Sequence, residues 1–247
     1  EDCPICTDAL PKLSIQFVRL SCCGKGLHFK CAKDLRENKS MTLEQKNTCI
    51  MCRAKIAEEG SKEQIEQLRG WVKKGKTWAM CMLARRYRDG LGVKQSDKTA
   101  IELYEMAAKG GYAGAQFNLG IYYYKGSHGV TQSSKKAIEL YTLAAKQGLA
   151  DAQYALGIVY EKGDFEQFKK AIELFEMAAK GGQAGAQYML GNYYRNGSHG
   201  FIQSDKRAHE YYILAAEQGH VNAQFNLGVM YAHGLGIEQS NSKAREW

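Results

Sequence analysis

Eight side chains with the chemistry of soft-metal ligands crowd the first 52 residues: Cys3, Cys6, Cys22, Cys23, His28, Cys31, Cys49 and Cys52, with gaps of 2, 15, 0, 4, 2, 17 and 2 residues. Thiolate and imidazole are the donors that tetrahedral zinc takes, and the C-x2-C pairs Cys3/Cys6 and Cys49/Cys52 favour zinc over a disulfide framework. Eight ligands make two tetrahedral sites, so the expected cofactor is two Zn2+. The stretch "SCCGKGLHFKC", residues 21 to 31, leaves one local question open. Either Cys22 and Cys23 both coordinate, or one is a buried bystander and a water or the other cysteine completes the site. Lys25 is no candidate, because an ammonium has no lone pair to give a metal.

A segment of this size with few large apolar side chains cannot fold on its core alone. Two structural zincs, at ~10–16 kcal/mol apparent each, supply the missing stability. Only Cys81 of the 8 cysteines lies beyond this segment, and that asymmetry separates a metal-rich domain from the rest. The whole chain, 247 residues with 45% hydrophobic and 2 Pro, has the composition of one to three folded domains. It shows no secretory apolar region and no run of about 18 apolar residues, so the expectation is a cytoplasmic or nuclear protein without a membrane segment. Because it begins at Glu1 without a methionine, a removed targeting segment stays open. The formal charge of +8 counts thiols as neutral, and thiolates on zinc lower it to about +5. Lysines and glutamates are interspersed without a long basic run, the pattern of a solvated surface rather than a nucleic-acid footprint.

The order "CPIC", "CCGKGLHFKC", "CIMCR" resembles a RING finger over residues 1–57, in the variant ordered four cysteines, one histidine, three cysteines. The resemblance implies interleaved sites: one zinc on Cys3, Cys6, His28 and Cys31, the other on Cys22, Cys23, Cys49 and Cys52. It implies a ubiquitin ligase that forms no covalent intermediate, binding a ubiquitin-conjugating enzyme and holding its thioester-linked ubiquitin in a reactive pose. Ile5 falls where the family places an apolar contact to that enzyme, with Ile50 and Met51 extending the groove. Arg53, directly after the last ligand, falls where active members place a cation bridging ubiquitin and enzyme, a role that suits a forked guanidinium. The chain departs from the family pattern at two places. Ile50 stands where a proline is usual, and after Cys31, where the family has a tryptophan, the chain offers Leu35 and Met41.

A PHD finger has the same ligand order and reads histone tails. It usually carries a tryptophan where this chain has Asn47, and Phe17 and Phe29 are the only aromatics of residues 1–60, which is too few for a methyl-lysine cage.

Past residue 65 the chain repeats itself. "CMLARRYRDGLG", "FNLGIYYYKGSHG", "YALGIVYEKG", "YMLGNYYRNGSHG" and "FNLGVMYAHGLG" place leucines at 83, 119, 156, 190 and 227, at intervals of 36, 37, 34 and 37. Between them recur "AIELYEMAAKGG", "AIELYTLAAKQG", "AIELFEMAAKGG" and "HEYYILAAEQG". Each unit reads as two helices, the first centred on the Leu-Gly pair and the second ending at Ala-Ala with a glycine stop. The Ala-Ala pairs and Gly120, Gly157, Gly191 and Gly228 bring helix backbones close. The aromatics Phe117, Tyr154, Tyr188 and Phe225 are expected in the core around them.

These features resemble Sel1-like repeats, relatives of tetratricopeptide repeats, over residues 77–247. Residues 58–76 then read as a linker and a degenerate half-repeat that caps the array. The expected fold is thus a small zinc-bound RING-like α+β module followed by an all-α superhelical solenoid. His128 and His199 occupy matching "GSHG" turns and read as turn residues, and Cys81 reads as a buried, inert thiol. Arg88, Tyr124, Glu161, Arg195 and Ala232 share one register position and change in charge and size, marking the face expected to receive protein substrates or partners. The function expected from both halves is a RING-type ubiquitin ligase whose repeats recruit substrates. The alternative is a non-catalytic scaffold with a structural zinc module.

Overall fold

A computed structural model describes residues 57–247, His199 excepted, and the backbone of two short strands. These strands, β1 (Phe17–Arg19) and β2 (Gly26–His28), pair antiparallel with Phe17 opposite His28. The helices are α1 (Lys62–Lys73), α2 (Thr77–Asp89), α3 (Asp97–Lys109), α4 (Ala113–Lys125), α5 (Ser134–Lys146), α6 (Ala150–Glu161), α7 (Phe165–Lys180), α8 (Ala184–Asn196), α9 (Asp205–Ala216), α10 (Val221–His233) and α11 (Asn241–Glu246). From α2 on, even-numbered helices are the first and odd-numbered helices the second of each repeat. The chain divides into two compact units, Glu1–Gln147 and Gly148–Trp247.

The turns explain why each repeat breaks where it does. Gly90, Gly126, Gly197 and Gly234 end their helices at φ 68°, 63°, 59° and 67°, a left-handed cap that a Cβ would strain. Ser96, Ser133, Ser204 and Ser240 then start α3, α5, α9 and α11, each hydroxyl accepting from the N–H three residues on. The same four serine N–H groups donate back to the carbonyls of Tyr87, Tyr123, Tyr194 and Tyr231 at 3.0, 2.8, 2.8 and 2.9 Å, so the loop is clamped at both ends. The short 34-residue interval has a local cause. Only Lys162 to Asp164 separate α6 from α7, and Asp164 caps a longer helix of 16 residues.

Packing within each unit follows the Leu-Gly pair. A Cβ on Gly120 would lie 2.6 Å from the Tyr141 ring, on Gly157 2.7 Å from Phe175 and on Gly191 2.6 Å from Tyr212, so in three repeats an aromatic of the second helix rests on bare backbone of the first. In the first unit Leu68, Leu83, Tyr104 and Leu119 form the core with the Ala79, Ala84, Ala100 and Ala107 side chains. In the second, Phe168, Phe175, Leu190 and Tyr193 form one cluster, and Tyr212, Leu227 and Met230 another.

One expectation about the core is corrected. Phe225 is 69% exposed, whereas Phe117, Tyr154 and Tyr188 pack at ring-centroid distances of 5.9, 5.8 and 5.9 Å on Tyr141, Phe175 and Tyr212. The aromatic place eight residues after the cap serine falls past Trp247 in this repeat, so among the described residues the nearest neighbour of Gly228 is the Ala244 carbonyl at 3.3 Å, and Phe225 lines an open groove with Val221 and Trp247.

Candidate protein-interaction surface

The five residues of the variable register position close the first helices, held there by the turn chemistry just described. Side-chain amides fix three of these ends: Gln95, Gln132 and Gln239 donate Nε2 to the carbonyls of Arg88, Tyr124 and Ala232 at 2.9, 3.0 and 2.8 Å. Their side chains have different fates. Arg88 forms a two-pronged pair with Asp89 at 2.7 and 2.9 Å, and that pairing holds the Asp89 carboxyl below its ordinary range. Burial raises the pKa of the Tyr122 hydroxyl in the next repeat, while the nearby Arg88 charge pulls the other way. In the second unit Glu161 accepts from the Tyr193 hydroxyl at 2.5 Å, and burial together with this bond pushes the tyrosine pKa well above its usual value. Arg88 and Glu161 are therefore partly occupied within the fold.

Tyr124, Arg195 and Ala232 are half-buried. Burial pushes the neighbouring Tyr141 hydroxyl up to about 12, and Tyr124 adds to that shift. Near Tyr212, whose pKa burial raises, Arg195 acts in the opposite sense.

His128 has a partner that its sequence neighbourhood does not reveal. It sits at φ 58° with Nδ1 2.8 Å from Asp97 Oδ1 and its ring 4.8 Å from Tyr122. His199 lies outside the described residues. Cys81 is 6% exposed, and burial pushes its thiol up to about 12, the chemistry of an unreactive core cysteine.

Sequence reading missed a set of hydrogen-bonded amides, of which Gln116 and Gln187 are buried. Gln116, Gln187 and Gln224 donate to the carbonyls of Ala108, Ala179 and Ala216 at 3.3, 3.2 and 3.2 Å, tying the end of one second helix to the following first helix. Gln147 and Gln218 extend this by donating to the Gln116 and Gln187 Oε1 atoms, both at 2.8 Å. The signal was the recurring "AQF" and "AQY" of the first helices.

The proposed zinc ligands Cys3, Cys6, Cys22, Cys23, Cys31, Cys49 and Cys52, with Ile5, Leu35, Ile50, Met51 and Arg53, lie outside the described residues, as does the His28 side chain. Among the described residues there is no cluster of three or more metal-ligating side chains, and no helix is long and apolar enough to cross a membrane.

Sel1 repeats match at residues 79–112, 113–149, 150–183, 184–220 and 221–247. The chain belongs to the Sel1-repeat family. Its Sel1 repeats form an all-helical solenoid, the architecture of a protein-interaction scaffold. A protective antigen of uropathogenic Escherichia coli strains, displaying an SLR fold, is 34% identical with a TM-score of 0.66 over 74% of this chain. The chain spans 39% of that antigen's length. A Sel1 repeat protein of Oxalobacter formigenes is 31% identical with a TM-score of 0.65, over 75% of this chain and 74% of that one. An immunity protein of Pseudomonas aeruginosa, at 19% identity and a TM-score of 0.53 over 88% of this chain and 76% of its own, shares the fold alone. No curated protein is significantly similar to the chain.

Proposed function

We propose that the chain is a scaffold whose Sel1 repeats hold a protein partner through the ends of their first helices. One observation carries this reading. The leucines, alanine pairs and glycines around that register position recur, while the position itself runs through Arg88, Tyr124, Glu161, Arg195 and Ala232. A constant core with a changing surface position is what a solenoid needs to read a partner repeat by repeat. The experiment is site-specific photocrosslinking from Tyr124 and Arg195, with Lys94 in the turn after α2 as a control. A discrete protein captured from the first two sites and not from the third supports the reading. Equal capture from all three sites counts against it.

A second reading rests on the donor set of residues 3–52. Seven thiols and one imidazole in RING order suit two zinc ions, with Cys3, Cys6, His28 and Cys31 holding one and Cys22, Cys23, Cys49 and Cys52 the other. Bound zinc would supply structure, not reaction chemistry. Ile5, Ile50, Met51 and Leu35 would then receive a ubiquitin-conjugating enzyme, and Arg53 would bridge it to ubiquitin. The chain is anchored to the repeats from Ala57 on: Ala57 is 6% exposed, Glu59 pairs with Arg86 at 2.6 Å, and Gly60 abuts Gly92. A partner on the repeats would thus be held close to such a module. Self-ubiquitination against a panel of conjugating enzymes tests this, and inactivity with every enzyme leaves the scaffold reading alone.

A further inference from the structure

The outer face of the second helices carries a pattern that the fold does not use. In α3, Lys98, Glu102, Met106 and Lys109 are exposed and follow one another at i, i+4, i+8 and i+11, one line along the helix. In α5, Lys135, Glu139, Leu143 and Lys146 repeat that line. Met106 is 51% exposed and Leu143 49%. In the second unit, Met177 at 51% and Leu214 at 47% occupy the same place in α7 and α9, each four residues after a glutamate.

Helix stability does not account for the line. Lysine N-terminal to glutamate at i, i+4 is the weaker orientation of such a pair. Among the described ion pairs none joins Lys98 to Glu102 or Lys135 to Glu139. Single exposed aliphatics are ordinary, but the same half-exposed position filled by Met or Leu in each of α3, α5, α7 and α9 is a recurring surface feature.

We propose that this face of the first unit docks a second copy of the chain. The argument is charge complementarity. Along each helix glutamate precedes the aliphatic residue by four positions and lysine follows it by three, roughly 6 and 4.5 Å at 1.5 Å per residue. Both helices pack against α4. A two-fold axis lying in the interface plane and running across the two helices lays Met106 of one copy on Met106 of the other and Leu143 on Leu143, and reverses each line end for end. Glu102 then meets Lys109 of the second copy, and Glu139 meets its Lys146. A uniformly acidic or basic partner leaves one row facing like charge, whereas this chain presents the required rows in reverse order by symmetry.

The test is sedimentation equilibrium of the full chain from low micromolar to submillimolar concentration, at low and high salt. A dimer that weakens with salt is expected. K109E/K146E and E102K/E139K should each weaken it about tenfold or more, and mixing the two variants should restore association as a heterodimer. M106D/L143D should abolish it while far-UV circular dichroism shows unchanged helicity. A monomer at every concentration overturns the proposal, and so does a dimer that ignores these substitutions or fails to reassemble on mixing.

Discussion

Replacing Gly191 by alanine tests the rule by which each second helix is seated. The new Cβ would lie 2.6 Å from the Tyr212 ring, closer than carbon atoms approach, and Tyr212 is 0% exposed with its hydroxyl donating to Asn192 Oδ1 at 2.7 Å. The ring must shift, which costs about 1–3 kcal/mol as overpacking and about 1 kcal/mol if the hydrogen bond is lost. Alanine returns about 1 kcal/mol of helix propensity, so a net destabilisation of about 1–3 kcal/mol is expected. Gly228→Ala is the internal control, because its Cβ would meet only the Ala244 carbonyl at 3.3 Å. That variant should be neutral or up to about 1 kcal/mol more stable. Ala84 stands at this place in the first repeat, in one core cluster with Tyr104, so the penalty at Gly191 measures how far the hydrogen-bonded Tyr212 ring can give way. Urea denaturation followed at the helical dichroism band measures both variants. Gly191→Ala and Gly228→Ala with equal midpoints would refute the seating argument.

The purified chain should hold two zinc ions by elemental analysis, and a chelator should unfold the N-terminal module while the repeats keep their helicity. Cys22→Ala and Cys23→Ala, made separately, should each lose one zinc if both coordinate, and only one should do so if the other is a bystander. Arg53→Ala should keep full zinc content yet slow ubiquitin discharge from a bound conjugating enzyme by roughly tenfold to a hundredfold, the loss of one charge-assisted hydrogen bond, with lysine restoring part of it. Burial, helped by Lys243 and opposed by Glu210, holds the His209 imidazole below its ordinary 6.5, with its Nε2 3.2 Å from the Tyr231 hydroxyl. A depressed folded pKa contributes stability that is complete above the unfolded value and is lost as pH falls through the folded one. Thermal midpoints should therefore drop as pH falls below about 6.5. His209→Gln should flatten that part of the profile.

The helices and their order were legible because a period repeated over five units carries its own control: the Leu-Gly pair, the Ala-Ala pair and the glycine stop recur at matching places. Contacts between second-helix ends and first helices were not, because they join residues about a repeat apart. Gln147 reaches Gln116 and Gln218 reaches Gln187 at a separation of 31, and Tyr193 reaches Glu161 at 32, distances over which no local pattern links two polar side chains. The same blindness affected the variable register position. Variation in sequence reads as freedom to bind, yet the Glu161 carboxylate accepts a hydrogen bond from the Tyr193 hydroxyl of the next repeat. Where Tyr193 stands, the following repeat has Met230, which has no hydroxyl to donate. Arg195 is therefore under no such demand from that position; it lies at the Tyr212 hydroxyl, where it opposes the rise in pKa that burial causes, and the remaining donors of its half-buried guanidinium fork suit a partner's carboxylate.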